Sequence, residues 1–203
     1  MPFKQSSVRR RAETTRSVRR PVIAPSRILR RSLPSLRHTD RLGRPIVSVL
    51  EGGEYLALFG TLGAGKTALV RGIATGLGAP AEAVSSPTFV LLHEYHGRLP
   101  LAHIDLYRLN SAKEVEAIGL EDYLTGTTVV AVEWAGKAPG ILPDDRLEIE
   151  LRHHKVQSRS IELRATGPLS AALLARLKHA TMRQKQHPRS QQPRRSLKGI
   201  SRS

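Results

Sequence analysis

The chain has 203 residues, with 33 Lys and Arg against 17 Asp and Glu, and no cysteine. That length suffices for one domain with a real core, and no apolar run approaches the ~18 residues of a membrane span, so no membrane partner is expected. The missing thiols exclude a disulfide framework and a cysteine metal site and suit a reducing compartment such as a bacterial cytoplasm.

The positive charge is confined to the ends. Residues 1–40 carry a net +9 and residues 166–203 another +9, whereas 41–165 carry −2. Stretches such as "SSVRRRAETTRSVRRP" and "RQKQHPRSQQPRRSLKGISRS" hold few large apolar groups and cannot offset the entropy of ordering by burial. Residues 1–37 therefore read as a basic, disordered extension, and 168–203 as a short helix followed by a basic, disordered tail. A second reading gives these tails weak, salt-dependent contacts with RNA. A third makes the Arg- and Ser-rich N-terminus a transit peptide. A core cut to 38–167 is expected to keep its ligand.

Along that core, "RLGRPIVSVL" (41–50) reads as a short helix or an edge element before a turn at Gly52-Gly53. "EYLALFG" is a buried strand ending in glycine. Residues 66–77 place Leu69, Val70, Ile73 and Leu77 at helical spacing, with Gly78 as the stop. "TFVLLHEYHGRLPLAHIDLYRL" predicts two antiparallel strands joined around Gly97-Arg98. Ser111 and Glu114 form a capping box that opens a short helix. "TTVVAVEW" is a β-branched run suited to a central strand buried on both faces. "RLEIELRHH" and "RSIELRAT" alternate as a hairpin with one wet face, and "PLSAALLARLKHA" is a last amphipathic helix. Together these predict an α/β fold with a mixed central sheet and a C-terminal β-hairpin.

Between the first strand and its helix lies "GTLGAGKT". Gly60, Gly65, Lys66 and Thr67 match G-x-x-x-x-G-K-[ST], with Gly63 as an extra glycine. Glycines let backbone N–H groups close around phosphate oxygens, and the following helix directs its positive end at the same anion. Lys66 would reach the outer phosphates, and the Thr67 hydroxyl would face Mg²⁺. A hydrolase also needs a carboxylate near the metal. Glu133, at the tip of an apolar strand, suits that role, unless it is a plain surface acid. Asp105 in "HIDLYRL" would assist the metal or orient the attacking water, or else pair with Arg108. Thr88 in "SSPTF" would sense the γ-phosphate, or merely start a strand. Trp134, the single tryptophan, is core or lines a binding surface. Histidines 93, 96, 103, 153 and 154 show no metal spacing and read as surface or packing residues.

The set "LFGTLGAGKTALVRG", "VSSPTFVLLHEY", "LPLAHIDLYRL", "IGLEDYL", "VVAVEWA" and "LPDDRLEIEL", in that order over about residues 38–167, resembles the small bacterial ATPase of the tRNA threonylcarbamoyladenosine pathway, the TsaE or YjeE family. The resemblance implies a P-loop NTPase fold and slow, partner-stimulated ATP hydrolysis. Its implied partners are a threonylcarbamoyl-transferase and a non-catalytic paralogue, with tRNA reached indirectly through the complex; hydrolysis would reset that complex between rounds. It further implies that Gly63, Ala64, Gly65, Lys66 and Thr67 bind phosphates, that Thr67 and Glu133 hold Mg²⁺, and that Asp105 and Thr88 belong to the catalytic surroundings. Trp134 and the DLYRL segment would lie near nucleotide and partner. Thr39 and Arg159 match positions near the nucleotide. Two residues depart from the family pattern: Thr61 stands for Asp and Ala68 for a second Thr. Both departures predict slower hydrolysis with binding retained, and leave open a nucleotide-dependent switch with vestigial hydrolysis. A small-molecule kinase is disfavoured for want of an arginine-rich lid.

Overall fold

The computed structural model describes residues 27–123, 126–138, 140–154 and 158–186; the expectations for residues 1–26 and 187–203 lie outside them. The described chain runs β1 (Ile28–Leu33), α1 (Leu36–Val47), β2 (Tyr55–Phe59), α2 (Lys66–Leu77), β3 (Leu92–Tyr95), β4 (Leu101–Asp105), α3 (Ala112–Glu116), β5 (Val129–Glu133), β6 (Leu147–His153), β7 (Arg159–Ala165) and α4 (Pro168–Gln186). The strands form one mixed sheet in the order β1-β7-β6-β2-β5-β4-β3. The central neighbours β6, β2, β5 and β4 are parallel, while β1 on β7, β7 on β6, and β3 on β4 are antiparallel. The expected mixed sheet, the antiparallel pair around Gly97, and the C-terminal hairpin are therefore all present.

Side chains alternate across the sheet as the pleat requires. Leu56 and Leu58 of β2, Val129 and Ala131 of β5, and Leu147, Ile149 and Leu151 of β6 face α1, α2 and α4. Tyr55, Ala57, Val130 and Val132 face the layer of α3 and the short 3₁₀ turns on the other side. All five residues of β5 are buried, as a central parallel strand covered on both faces should be. The β6–β7 hairpin is wet on the face away from the helices. There Glu148 pairs with Arg146 and Arg164, Glu150 with Arg152, and Glu162 with Arg30 of β1. Helix α2 covers 66–77 and stops at Gly78 in the left-handed region. The Ser111–Glu114 capping box is formed in both directions.

Two boundaries move outward. Residues 28–33 were assigned to the basic extension, yet they form the edge strand β1, paired along its length with β7, and Leu33 is buried. Helix α1 starts at Leu36 instead of near residue 41. At the other end α4 continues to Gln186 and buries Leu173, Leu174 and Leu177 in the same core as α1 and α2. The packed unit thus exceeds 38–167, and the expectation that this shortened core would keep its ligand is revised. Re-exposing three leucines costs roughly 5 kcal/mol, a large share of a typical domain's stability of about 5–15 kcal/mol. A chain of 38–167 should therefore lack a cooperative thermal transition by circular dichroism, whereas 27–186 should show one. Equal melting of the two would mean that β1 and α4 add nothing.

Candidate functional site

Strands β2, β4 and β5 run parallel, so their C-terminal ends open on one edge of the sheet, the usual position of a ligand crevice in such sheets. Beyond β2 the chain turns through Gly60–Gly65 into α2. Glycine is demanded at specific points of this turn. Gly60 has φ 137°, and a Cβ there would lie 2.4 Å from the carbonyl oxygen of Leu151. Gly65, the N-cap of α2, has φ 105°. The loop's shape is therefore a property of its glycines.

Glu133 and Asp105 are the last residues of β5 and β4, register partners with both side chains on the α2 side. Lys66, Asp105 and Glu133 are all nearly buried. Thr67 Oγ1 donates to Glu133 Oε2 at 3.0 Å. His103 Nε2 lies 2.8 Å from the other oxygen of the same carboxylate. Asp105 Oδ2 accepts from Ser86 Oγ at 2.8 Å and Thr88 Oγ1 at 2.6 Å, and Oδ1 accepts from the Tyr107 backbone N–H at 2.8 Å. Asp105 does not pair with Arg108, whose guanidinium instead sits 4.0 Å above the Phe89 ring. Thr88 is in a turn, and β3 begins only at Leu92, because Leu91 adopts φ 67° and interrupts the extended run.

Lys66 Nζ donates to the carbonyls of Gly60 and Thr61 at 2.8 and 3.0 Å and lies 3.7 Å from the centroid of the Trp134 ring. Burial holds its pKa below the ordinary lysine range, opposed in part by Glu133 and Asp105. Trp134 is half-buried and packs against Tyr107 with ring centroids 4.9 Å apart and planes tilted by 43°, so its ring forms a wall of the cleft beside the lysine. Lys137, in the turn after β5, donates to the carbonyls of Tyr107 and Leu109 and ties the DLYRL segment to that strand.

These groups line a cleft of about 370 Å³ that includes Gly63, Gly65, Lys66, Thr67, Asp105 and Glu133. Thr88 and Trp134 also face it, as does Ala68, one of the two residues that depart from the family pattern. Thr61 is exposed and is not among the lining residues. Thr39 and Arg159 sit on the other side of the loop. Arg159 Nε donates to Ala64 O at 3.2 Å, and both residues lie within contact of a Cβ built on Gly65. His153 Nε2 lies 3.1 Å from Gly63 O and 3.1 Å from Arg159 Nη2. Both side chains therefore brace the loop's backbone from the hairpin.

The donor set suits an anion with a hard cation. Gly60 and Gly65 make a cradle that a Cβ would spoil, Lys66 supplies a fixed positive charge, and Thr67 with Glu133 offers a hydroxyl and a carboxylate 3.0 Å apart. Sequence reasoning missed Ser86, His103 and His153. His103 carried a signal: it lies two residues before Asp105, and period-2 alternation puts both on one face of the strand.

The family model for "Threonylcarbamoyl adenosine biosynthesis protein TsaE" matches residues 33–161. The chain is 43% identical over 118 residues to the "tRNA threonylcarbamoyladenosine biosynthesis protein TsaE" of Treponema pallidum, an alignment covering 58% of this chain and 87% of that protein. The protein of the same description from Bacillus subtilis is 39% identical over 130 residues, covering 64% of this chain and 80% of the relative. Among solved structures, Bacillus subtilis YdiB superposes with a TM-score of 0.64 at 31% identity, over 76% of this chain and 96% of that one.

Proposed function

Because the chain belongs to the TsaE family of threonylcarbamoyl adenosine biosynthesis proteins, we propose that it is the P-loop ATPase subunit of the tRNA threonylcarbamoyladenosine machinery, working in a bacterial cytoplasm. The observation that carries the reading is the Thr67–Glu133 pair at the end of the loop, 3.0 Å apart beside a buried lysine. Backbone N–H groups of Gly63 to Thr67 and the Lys66 ammonium would take the phosphates of ATP. Lys66 would exchange two carbonyl acceptors for charged oxygens, which make stronger hydrogen bonds. Thr67 and Glu133 would hold Mg²⁺, which when bound neutralises charge developing on the outer phosphates. Asp105 is oriented by Ser86 and Thr88 on Oδ2 and by the Tyr107 N–H on Oδ1, and a carboxylate held in this way would orient an attacking water. Asp105→Asn should slow turnover by roughly 10²-fold with little change in nucleotide affinity; an equal fall in affinity would place Asp105 in binding instead.

Hydrolysis would support turnover of a complex with the threonylcarbamoyl-transferase and its paralogue, with tRNA engaged through them. Leu62, Phe89, Val90 and Tyr107 are exposed around the cleft, an apolar rim of the kind a protein partner covers. A nucleotide-dependent switch with vestigial hydrolysis is the second reading, favoured by Ala68, which faces the cleft with a methyl group where the family pattern has a hydroxyl. ATP hydrolysis by the purified chain, alone and then with transferase and paralogue, separates the two. A low rate that rises with partners supports the ATPase. Nucleotide binding with no stimulated turnover supports the switch, and Ala68→Thr is then the reversion expected to restore rate, ahead of Thr61→Asp.

A further inference from the structure

We infer that His103 is a positioning residue for Glu133: it holds the carboxylate from the core side so that the opposite oxygen faces Thr67 and the metal. This rests on the reading of the site as one for nucleotide and Mg²⁺. His103 is fully buried in β4, between Ala102 and Ile104, which are also fully buried. Its Nε2 lies 2.8 Å from Glu133 Oε1, while Oε2 is the oxygen that accepts from Thr67. The carboxylate is thus held at both ends, by an imidazole below and a hydroxyl above.

The other ring nitrogen, Nδ1, is buried and has no hydrogen-bond partner among the described residues. The contact with Glu133 is therefore the polar interaction this ring is placed to make. The pattern also indicates the tautomer: a proton on Nε2 can be donated to the carboxylate, whereas a proton on Nδ1 would be a buried donor with no acceptor. An imidazole left half-satisfied is a costly way to fill an apolar site, and leucine or phenylalanine would pack there without an orphaned polar atom. The polar group that histidine serves here is the buried Glu133 carboxylate, so the choice of residue 103 follows from the placement of that acid. Orienting a metal-binding carboxylate is a use that repays the cost, because a rotated Glu133 side chain would present neither the right oxygen nor the right distance to a cation shared with Thr67.

The test compares His103→Leu, which removes the donor, with His103→Gln, whose amide N–H reaches about as far as Nε2. Nucleotide affinity is measured in EDTA, and Mn²⁺ affinity of the ADP complex by electron paramagnetic resonance. His103→Leu should weaken Mn²⁺ binding by roughly 10-fold or more, with nucleotide affinity in EDTA within about twofold of wild type, and His103→Gln should recover most of the loss. Unchanged Mn²⁺ affinity in His103→Leu overturns the inference. So does a loss that glutamine fails to recover, or an equal loss of nucleotide affinity in EDTA, which would point to a distorted loop. If His103→Leu does not fold, ¹⁵N shifts of the imidazole in the wild-type chain decide: a proton on Nε2 supports the assignment, and a proton on Nδ1 overturns it. A wild-type protein whose nucleotide complex takes no Mn²⁺ removes the reading of the site and this inference together. Mn²⁺ binding that is indifferent to residue 103 removes only the inference.

Discussion

Lys66→Ala should reduce ATP affinity by roughly 100-fold, since each charge-assisted hydrogen bond it would make to phosphate is worth about 1.5–3 kcal/mol. The ammonium is fixed at the floor of the cleft by Gly60 O, Thr61 O and the Trp134 ring, so little rearrangement separates it from a bound phosphate. Glu133→Gln should behave differently. It keeps the shape, keeps an oxygen for His103, and removes one negative charge from the metal position. Affinity should stay within a few-fold, while turnover falls by about 10²-fold or more, the usual cost of removing a group that stabilises charge in the transition state. Calorimetric titration with ATP and a phosphate-release assay on both variants give the comparison. Unaltered affinity and turnover in both would dismantle the site. Reversed roles, with Glu133→Gln losing affinity and Lys66→Ala only rate, would mean that the carboxylate sets binding.

Much of this was legible in the chain because local rules decide it. The loop announces itself through glycines whose φ values other residues resist, and the helix over 66–77 through apolar spacing and a glycine stop. Glu133 and Asp105 could be placed at strand tips because each is the first carboxylate after an apolar run, although both prove to be buried. What was not legible depends on partners far away in sequence. "ILRRSL" reads as part of a basic leader, and becomes a strand only because β7 offers it an edge and Glu162 an ion pair for Arg30. Arg159 and His153 reach the loop only through the parallel register of β6 on β2. His103 was read as packing because no metal spacing surrounds it; its partner lies on the neighbouring strand.

The same long-range dependence decides how firmly the nucleotide loop is held, and here the largest effect of a single substitution on stability is expected from Gly72→Ala. Helix α2 carries Lys66 and Thr67 on its first turn, and α1 crosses it with backbone against backbone. A Cβ on Gly72 would lie 1.9 Å from the carbonyl oxygen of Asp40, and one on Gly43 would lie 2.2 Å from the carbonyl carbon of Gly72. Neither obstacle is a side chain that can swing away, so the helices must separate. Alanine favours a helix interior over glycine by about 1 kcal/mol, yet the overpacking opposes it with about 3 kcal/mol or more. The net loss should lower the melting temperature by roughly 5–10 °C in a domain of this size. Gly140→Ala is the control, because a Cβ there meets nothing within 4 Å and φ is ordinary. Separation of α1 from α2 also moves Thr39 away from Gly65, so nucleotide affinity should fall with the melting temperature in Gly72→Ala. A variant that melts like wild type would show that the crossing can relax without cost. One that melts early but binds ATP normally would show that the loop takes its shape from its own glycines and from Arg159, independent of α1.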